Sequence, residues 1–397
     1  APRLERRSYC HLLTSDIGVN RRNARWSIVI DIGPSTCTVY PKRLHVPSDV
    51  TVCLTFRCAV RCGYCYLSRA ARRDWRELRV DQWAKALSDM RKFGVSEVVL
   101  TGGDVFVFEG LLDLLRIVKT EGLSLRKPLS TKVALDSSVL VELSELTSEL
   151  QFSLDTIDAR DLDRMICALP MRAETYLHSM FTSITAAARQ GLRVQVRVTL
   201  TRPTYDSALR VIDALLAMKE VATVIAAPVV CHPQDQSTHE WAISPAMVGN
   251  LAARYTTVPQ DRFALKYSPI DDTESNPTNV TDLRYGSRRT FVRNCHCRGN
   301  RETATILPDG NVTYCAAMAN VGGPFMGTVT QSSLREICQS ALAISLAYLD
   351  DRQLSAQRCR ECKLRGVCIA NSSRCYYRIA CECGPDRLGG PDPRCPA

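Results

Sequence analysis

Three cysteines at C-x3-C-x2-C spacing, Cys58, Cys62 and Cys65, follow directly on the run Val50-Thr51-Val52-Cys53-Leu54-Thr55-Phe56. The run alternates and is rich in β-branched residues, which predicts a strand. A strand feeding a short cysteine loop delivers three soft thiolates to one spot. Such donors suit an iron–sulfur cluster or zinc. Both ordinarily take four protein ligands, and no fourth cysteine or histidine lies close by in the sequence. A four-iron cluster held by three cysteines keeps one iron open to a substrate or cofactor. A zinc loop is the alternative that the spacing leaves standing.

The chain has 397 residues, 45% hydrophobic and 23% charged, with 19 cysteines. That length allows two domains and a sizeable core. No apolar stretch approaches the roughly 20 residues of a membrane span. No apolar region follows the basic residues Arg3, Arg6 and Arg7 as a secretory signal would. The cysteines are therefore expected in a reducing, cytoplasmic setting, as metal or cluster ligands rather than disulfides. Eleven of the 19 fall after residue 290, which marks a separate cysteine-rich module. The net charge of +10 includes a dense arginine run from Arg69 to Arg79. A basic face of this kind serves an acidic peptide, a phosphorylated small molecule or simple solvation. No nucleic-acid motif with interleaved aromatics accompanies it, so neither nucleic acid nor a membrane is expected as a partner.

The chain reads as an N-terminal extension (1–49), a repetitive core (50–243), a linking region (244–290) and the cysteine-rich module (291–397). In the extension, Arg25–Ile30 is strand-like and runs into Asp31-Ile32-Gly33-Pro34-Ser35-Thr36. This phosphate-loop-like string lacks downstream phosphate motifs and is given no role. In the core, strand-like segments at 50–56, 97–101, 129–135, 150–155, 192–200 and 221–230 alternate with helical patterns at 80–93, 110–120, 137–147, 175–190 and 205–219. Ser137 is a candidate cap of its helix, and Gly191 a stop signal. Six β/α repeats predict a parallel sheet with right-handed crossovers. They are too few for a full eight-fold barrel of ~250 residues. Chemistry in such sheets belongs at the C-terminal strand ends, where the cysteine loop falls.

The cysteine spacing, with Tyr64 before the third cysteine, resembles the radical S-adenosylmethionine (SAM) superfamily. The resemblance implies an α/β fold, a partial (β/α)6 TIM barrel. It implies that the open iron is chelated by SAM, which one electron splits into methionine and a 5′-deoxyadenosyl radical that abstracts a substrate hydrogen atom. Thr101-Gly102-Gly103-Asp104 resembles the family's Gly-Gly-Glu motif, whose backbone and acid hold the SAM amino group; Asp104 gives a shorter arm. Ser153-Leu154-Asp155 resembles a Ser-x-Asp motif, which implies Ser153 near the SAM ribose or carboxylate and Asp155 near the reaction cavity. Thr156 stands where glycine often follows. Arg164 and Arg172 both suit the family's arginine for the SAM carboxylate. Tyr64 is implied to lie at the adenine.

Farther on come Cys295-His296-Cys297, Gly310-x4-Cys315, Cys359-x2-Cys362-x5-Cys368, Cys375 and Cys395. Residues 304–312 read as a hairpin turning at Asp309-Gly310. The succession resembles the SPASM domain, which implies two auxiliary 4Fe–4S clusters and three 4Fe–4S clusters in all; zinc is the non-redox alternative. By resemblance, Cys297 or Cys295 joins Cys315 and Cys375 at the first, and Cys359, Cys362, Cys368 and Cys395 hold the second. Cys381 and Cys383 are bystanders or substitutes. Six residues separate Cys368 from Cys375 where the family has three, an insertion within Ile369–Arg374. Cys10, Cys37, Cys53, Cys167, Cys231 and Cys338 belong to no motif and read as small packed thiols. Asp271-Asp272 reads as a base candidate or, with better reason, a solvated loop. The implied activity is maturation of a precursor peptide by cross-linking or other oxidation, with a flavodoxin- or ferredoxin-type electron donor. The alternatives are a dehydrogenase or epimerase of a sugar or other small molecule, and a non-catalytic metal-binding protein.

Overall fold

The computed structural model describes residues 29–32, 35–38, 46–229, 240–265, 297, 299, 302–347, 354–370, 373–384, 387–393 and 395. Cys10, Cys231, Asp271-Asp272 and Cys295 lie outside the described residues. The chain divides into two compact units, 1–40 and 41–397. In the first, Val29–Ile32 pairs antiparallel with Ser35–Thr38, so the phosphate-loop-like string supplies hairpin strands.

The second unit is built on six parallel strands: β1 (Asp49–Thr55), β2 (Glu97–Gly102), β3 (Leu129–Thr131), β4 (Glu149–Ser153), β5 (Arg193–Leu200) and β6 (Val221–Pro228). Between them run α1 (Val80–Phe93), α2 (Leu111–Thr120), α3 (Ser137–Leu146), α4 (Ala159–Met165), α5 (Ala173–Arg189) and α6 (Tyr205–Ala217). This is the partial (β/α)6 barrel. The two-residue strand period sorts its faces. On β5, Val194, Val196, Val198 and Leu200 are buried in one cluster with Ile184 and Ala187 of α5 and Val211 of α6. The alternate residues Gln195, Arg197 and Thr199 are half-buried on the opposite, inward face.

Strand pairing divides the barrel in two. One hydrogen-bonded sheet holds β3, β4, β5 and β6; the other holds β1 and β2. Asp104, just past β2, spans the division. Its Oδ2 accepts from the Thr131 hydroxyl and the Lys132 N–H, each at 2.9 Å. Its Oδ1 accepts from the Phe106 N–H at 3.0 Å. The Lys132 carbonyl in turn accepts from the Tyr176 hydroxyl at 2.6 Å. These bonds end β3 at Thr131, whereas the sequence reading carried the strand to Leu135. Asp136, rather than Ser137, occupies the cap position of α3.

Parallel strands extend the barrel at both edges. The linking region contains a helix, Pro245–Arg254, and a strand, β7 (Phe263–Leu265), parallel to β6. From the cysteine-rich module, β8 (Thr303–Ile306) pairs parallel with β1, Thr303 opposite Asp49 and Ile306 opposite Val52. The expected hairpin follows, with β9 (Asn311–Thr313) antiparallel to β8 and Gly310 at φ 86°. A three-residue strand carries too little periodicity to be read in advance. The insertion before Cys375 is anchored by buried Arg374, which donates to the carbonyls of Leu388, at 2.6 Å, and of Gly390. Cys53 and Cys338 are core thiols, and Cys167 is exposed. No helix among the described residues is long and apolar enough to cross a membrane.

Gly102 and Gly103 are required by close approach within the fold. A Cβ on Gly102 would stand 1.9 Å from the Thr55 carbonyl oxygen, and one on Gly103 2.1 Å from that of Arg57. Gly103→Ala is expected to destabilise the protein by about 3 kcal/mol or more, since backbone rather than a side chain would have to yield. Gly249, in a helix with nothing within 4 Å of a Cβ, is the control: its change to Ala is neutral or stabilising by up to about 1 kcal/mol. Urea denaturation of both variants checks this.

Candidate active site

The cysteine loop leaves β1 and is pinned on two sides. Arg61–Cys62 pairs antiparallel with Ile166–Ala168, and the Gly63 N–H donates to the Met165 carbonyl at 2.9 Å. On the other side Asn320, 3% exposed, donates from Nδ2 to the Tyr66 carbonyl at 2.8 Å and accepts from the Ala70 N–H at 2.9 Å. An asparagine of the cysteine-rich module thus fixes the exit of the loop.

Burial pushes the Cys58 thiol up to about 12 although the residue is exposed overall; Asp104, Cys65 and Cys62 add to the rise and Lys132 opposes it. Burial also raises Cys62 and Cys65, again against Lys132. Neighbouring enclosed thiols that resist ionisation alone are stabilised as thiolates by a metal centre among them. Among the described residues, no three His, Cys, Asp or Glu side chains converge as the donors of a single ion would. An all-sulfur set of three near neighbours fits a four-iron cluster.

Three strand ends meet beside this loop at Lys132. Its ammonium donates to the Tyr64 hydroxyl at 2.9 Å and to Asp155 Oδ2, with which it forms an ion pair. The Tyr64 hydroxyl also donates to Asp155 Oδ2. Asp155 Oδ1 accepts from the Thr199 N–H at 2.7 Å. Burial favours the neutral acid at Asp155, but the Lys132 charge and the hydrogen bonds more than offset it and hold the carboxyl below its usual range. Burial likewise opposes the Lys132 charge, and Asp155 more than restores it. The pair is therefore ionised. Lys132 was missed in the sequence because it belongs to no motif. Its one signal is a basic residue at the C-terminal end of a buried strand, the position where barrels keep their chemistry.

The other expected residues fall as follows. Gly102 and Gly103 lie against β1 and the loop entrance; the Asp104 carboxylate is occupied by its three donors. The Ser153 hydroxyl is 3.5 Å from that of Ser130, which Gln151 also reaches at 2.9 Å. Arg164 and Arg172, with side chains 65% and 87% exposed, face Asp161 at 3.6 Å within α4 and Glu174 at 4.0 Å at the start of α5. Among the described residues no hydrogen bond or ion pair joins either arginine to Tyr64, Ser153 or Asp155.

The module's thiols form two neighbourhoods. Burial raises Cys315, and Cys375 and Cys297 raise it further. Burial pushes Cys368 up to about 12; Arg374 opposes, and Cys395, Asp392 and Cys359 add to the rise. The Cys362 N–H reaches the Cys359 carbonyl at 3.4 Å. Cys381, buried and raised to about 11 chiefly by burial, also feels Cys375.

Residues 52–229 match the Radical SAM superfamily, and residues 295–363 match SPASM, described as an iron-sulfur cluster-binding domain. The partial barrel with its cysteine loop is thus a radical SAM fold. The chain carries a radical SAM domain followed by a SPASM domain. It is similar to the PqqA peptide cyclase of Rhodopseudomonas palustris, 29% identical over 121 residues, 30% of this chain and 32% of that protein. The match therefore spans about a third of that relative's length. The PqqA peptide cyclase of Granulibacter bethesdensis is 20% identical over 330 residues, 82% of each chain. In structure the chain resembles Streptococcus suis SuiB bound to S-adenosylmethionine, with TM-score 0.65 and 14% identity, covering 88% of this chain and 77% of that one. SuiB bound to precursor peptide SuiA gives TM-score 0.64 at 15% identity over 87% and 75% of the two chains.

Lys132→Met strands the Asp155 carboxylate without its cation and is expected to cost about 3–5 kcal/mol. Lys132→Met with Asp155→Leu recovers much of that loss, as chemical denaturation of both variants will read. The depressed Asp155 carboxyl contributes stability in full above the ordinary carboxylate range near pH ~4 and loses it as pH falls through its folded value. The double variant therefore shows a weaker acid dependence than the wild type.

Proposed function

We propose that the chain is a radical SAM/SPASM maturase that oxidises a ribosomally made precursor peptide. The observation that carries this reading is the meeting of three strand ends, Cys58–Cys65 after β1, Gly102–Asp104 after β2 and Ser153–Asp155 after β4, at Lys132. In this reading Cys58, Cys62 and Cys65 hold a four-iron cluster with one open iron. A cluster held by these three thiolates would supply the one-electron chemistry for reductive cleavage of SAM.

The residues around it bind and orient. Gly102, Gly103 and Asp104 frame the amino end of SAM, Tyr64 the adenine, and Ser153 the ribose or carboxylate. The carboxylate role read for Arg164 or Arg172 passes to Lys132, the cation that acts on all three loop thiols. Asp155 Oδ2, kept ionised by Lys132, is an acceptor for a proton released as the substrate is oxidised. Cys297, Cys315 and Cys375 hold the first auxiliary cluster, with Cys295 or Cys381 as the fourth ligand. Cys359, Cys362, Cys368 and Cys395 hold the second. The module offers a route out for the electron that the substrate gives up, and a flavodoxin- or ferredoxin-type protein supplies the first one. The product is a carbon–carbon, ether or thioether cross-link, or another two-electron oxidation. The PqqA peptide cyclases and the peptide-bound SuiB support a peptide as the substrate class.

Co-expression with a small precursor peptide encoded beside the gene is expected to yield a peptide lighter by two hydrogens. An unchanged peptide beside an enzyme that cleaves SAM would sink the reading. Changing Cys58, Cys62 and Cys65 together to Ala is expected to abolish 5′-deoxyadenosine formation while removing only about a third of the bound iron. Iron analysis and chromatography read the two effects separately.

A further inference from the structure

The segment between Cys368 and Cys375 is longer than the SPASM pattern has it, and its end is tied to both sides. The Ser373 N–H donates back to the Cys368 carbonyl at 3.0 Å. Arg374 and Cys375 then hold the C-terminal tail. Arg374 Nη2 donates to the carbonyls of Leu388, at 2.6 Å, and of Gly390. The Cys375 N–H donates to Asp392 Oδ2 at 2.6 Å. Asp392 is 2% exposed, and its own carbonyl accepts from the Cys395 N–H at 3.0 Å. Cys375, read as a ligand of the first auxiliary cluster, is therefore bracketed by Cys368 and Cys395, both read as ligands of the second.

An enclosed carboxylate is costly unless it is given partners. This one is spent on the main-chain N–H of a cysteine. The potential of an iron–sulfur cluster is set in part by hydrogen bonds to its sulfurs and by nearby charge. An N–H that donates to Asp392 is not offered to a cluster sulfur, and the acceptor is itself a carboxylate. Both effects lower the potential. The same carboxylate lies at the start of the helix Tyr376–Cys383, where negative charge is stabilising. Capping alone would be met as well by Asn or Ser. That role reads out in the melting point, whereas a field on the cluster reads out in a potential.

We propose that Asp392 is a positioning residue of the auxiliary pair: it orients Cys375, lowers the potential of the first auxiliary cluster, and ties that cluster's ligand to Cys395 of the second. The inference rests on the two-cluster reading of the SPASM domain and deepens it. The longer segment before Cys375 is what brings Arg374 and Cys375 onto the tail that carries Asp392.

The test uses the full chain reconstituted anaerobically, as wild type, Asp392→Asn and Asp392→Glu. Iron and zinc are measured first, and each cluster is then titrated by potentiometry with paramagnetic resonance. Spectra with and without SAM single out the SAM-binding cluster, which alone responds to it. Asp392→Asn keeps an acceptor for the Cys375 N–H and loses the charge. It is expected to keep its iron and to shift one auxiliary couple upward by about tenfold in its reduction equilibrium, ~59 mV for one electron. Asp392→Glu restores most of the wild-type value, and the SAM-binding cluster is unmoved in all three. A fully loaded Asp392→Asn with unmoved auxiliary potentials overturns the proposal, even if it melts lower. So does a loss of about four irons from Asp392→Asn, which marks the carboxylate as a cluster ligand, or a shift shared by the SAM-binding cluster, which marks a general disturbance. A wild type whose SPASM domain takes up zinc or a single cluster removes the two-cluster reading and the proposal with it, and metal analysis shows this before any titration.

Discussion

Between β2 and β3 the barrel is joined by a side chain. Asp104 accepts three hydrogen bonds with a carboxylate that is 2% exposed. Two of the donors lie on the far side of the division between the sheets. A buried carboxylate is tolerable only when its lone pairs are satisfied, and these donors satisfy it while fixing where β3 stops. The Lys132 backbone is thereby held from both sides, by Asp104 and by Tyr176. Its ammonium is set between Tyr64 and Asp155 as a consequence. The site is a by-product of closing the sheet: the same aspartate that joins the halves delivers the lysine.

Charge beside the cysteine loop is concentrated in one buried pair. Lys132 and Asp155 neutralise each other in a buried pair, which favours a single arrangement of the Tyr64 side of the loop. Removing one partner of such a pair strands the other charge, so the pair holds this wall of the site in place.

The SPASM domain is part of the barrel rather than a separate bead. β8 lies in parallel register against β1, and Asn320 ties the loop that leaves β1. Both cysteine groups are therefore referred to the same strand. This fixes their relation by backbone hydrogen bonds, which are short and directional, and Tyr66 comes to feel a thiol from each.

Local chemistry was legible from residue order. The alternation of β5, the loop Cys58–Cys65, the turn Gly102–Asp104 and the end Ser153–Asp155 all announce themselves by period or spacing, because both are written along the chain. The six-repeat barrel follows from them. What the order of residues does not record is which groups meet across the fold. Lys132 looked like any strand-end lysine, and Arg197 like any polar residue of an alternating strand. Arg164 and Arg172 looked as suitable as either, yet they stand on the surface. Partnership between side chains depends on strand register and on the path of connections, and those are set only when distant segments pack. The sequence by itself determined a cysteine-bearing parallel barrel with a SPASM domain. The tertiary structure alone decided that its three motifs converge on Lys132.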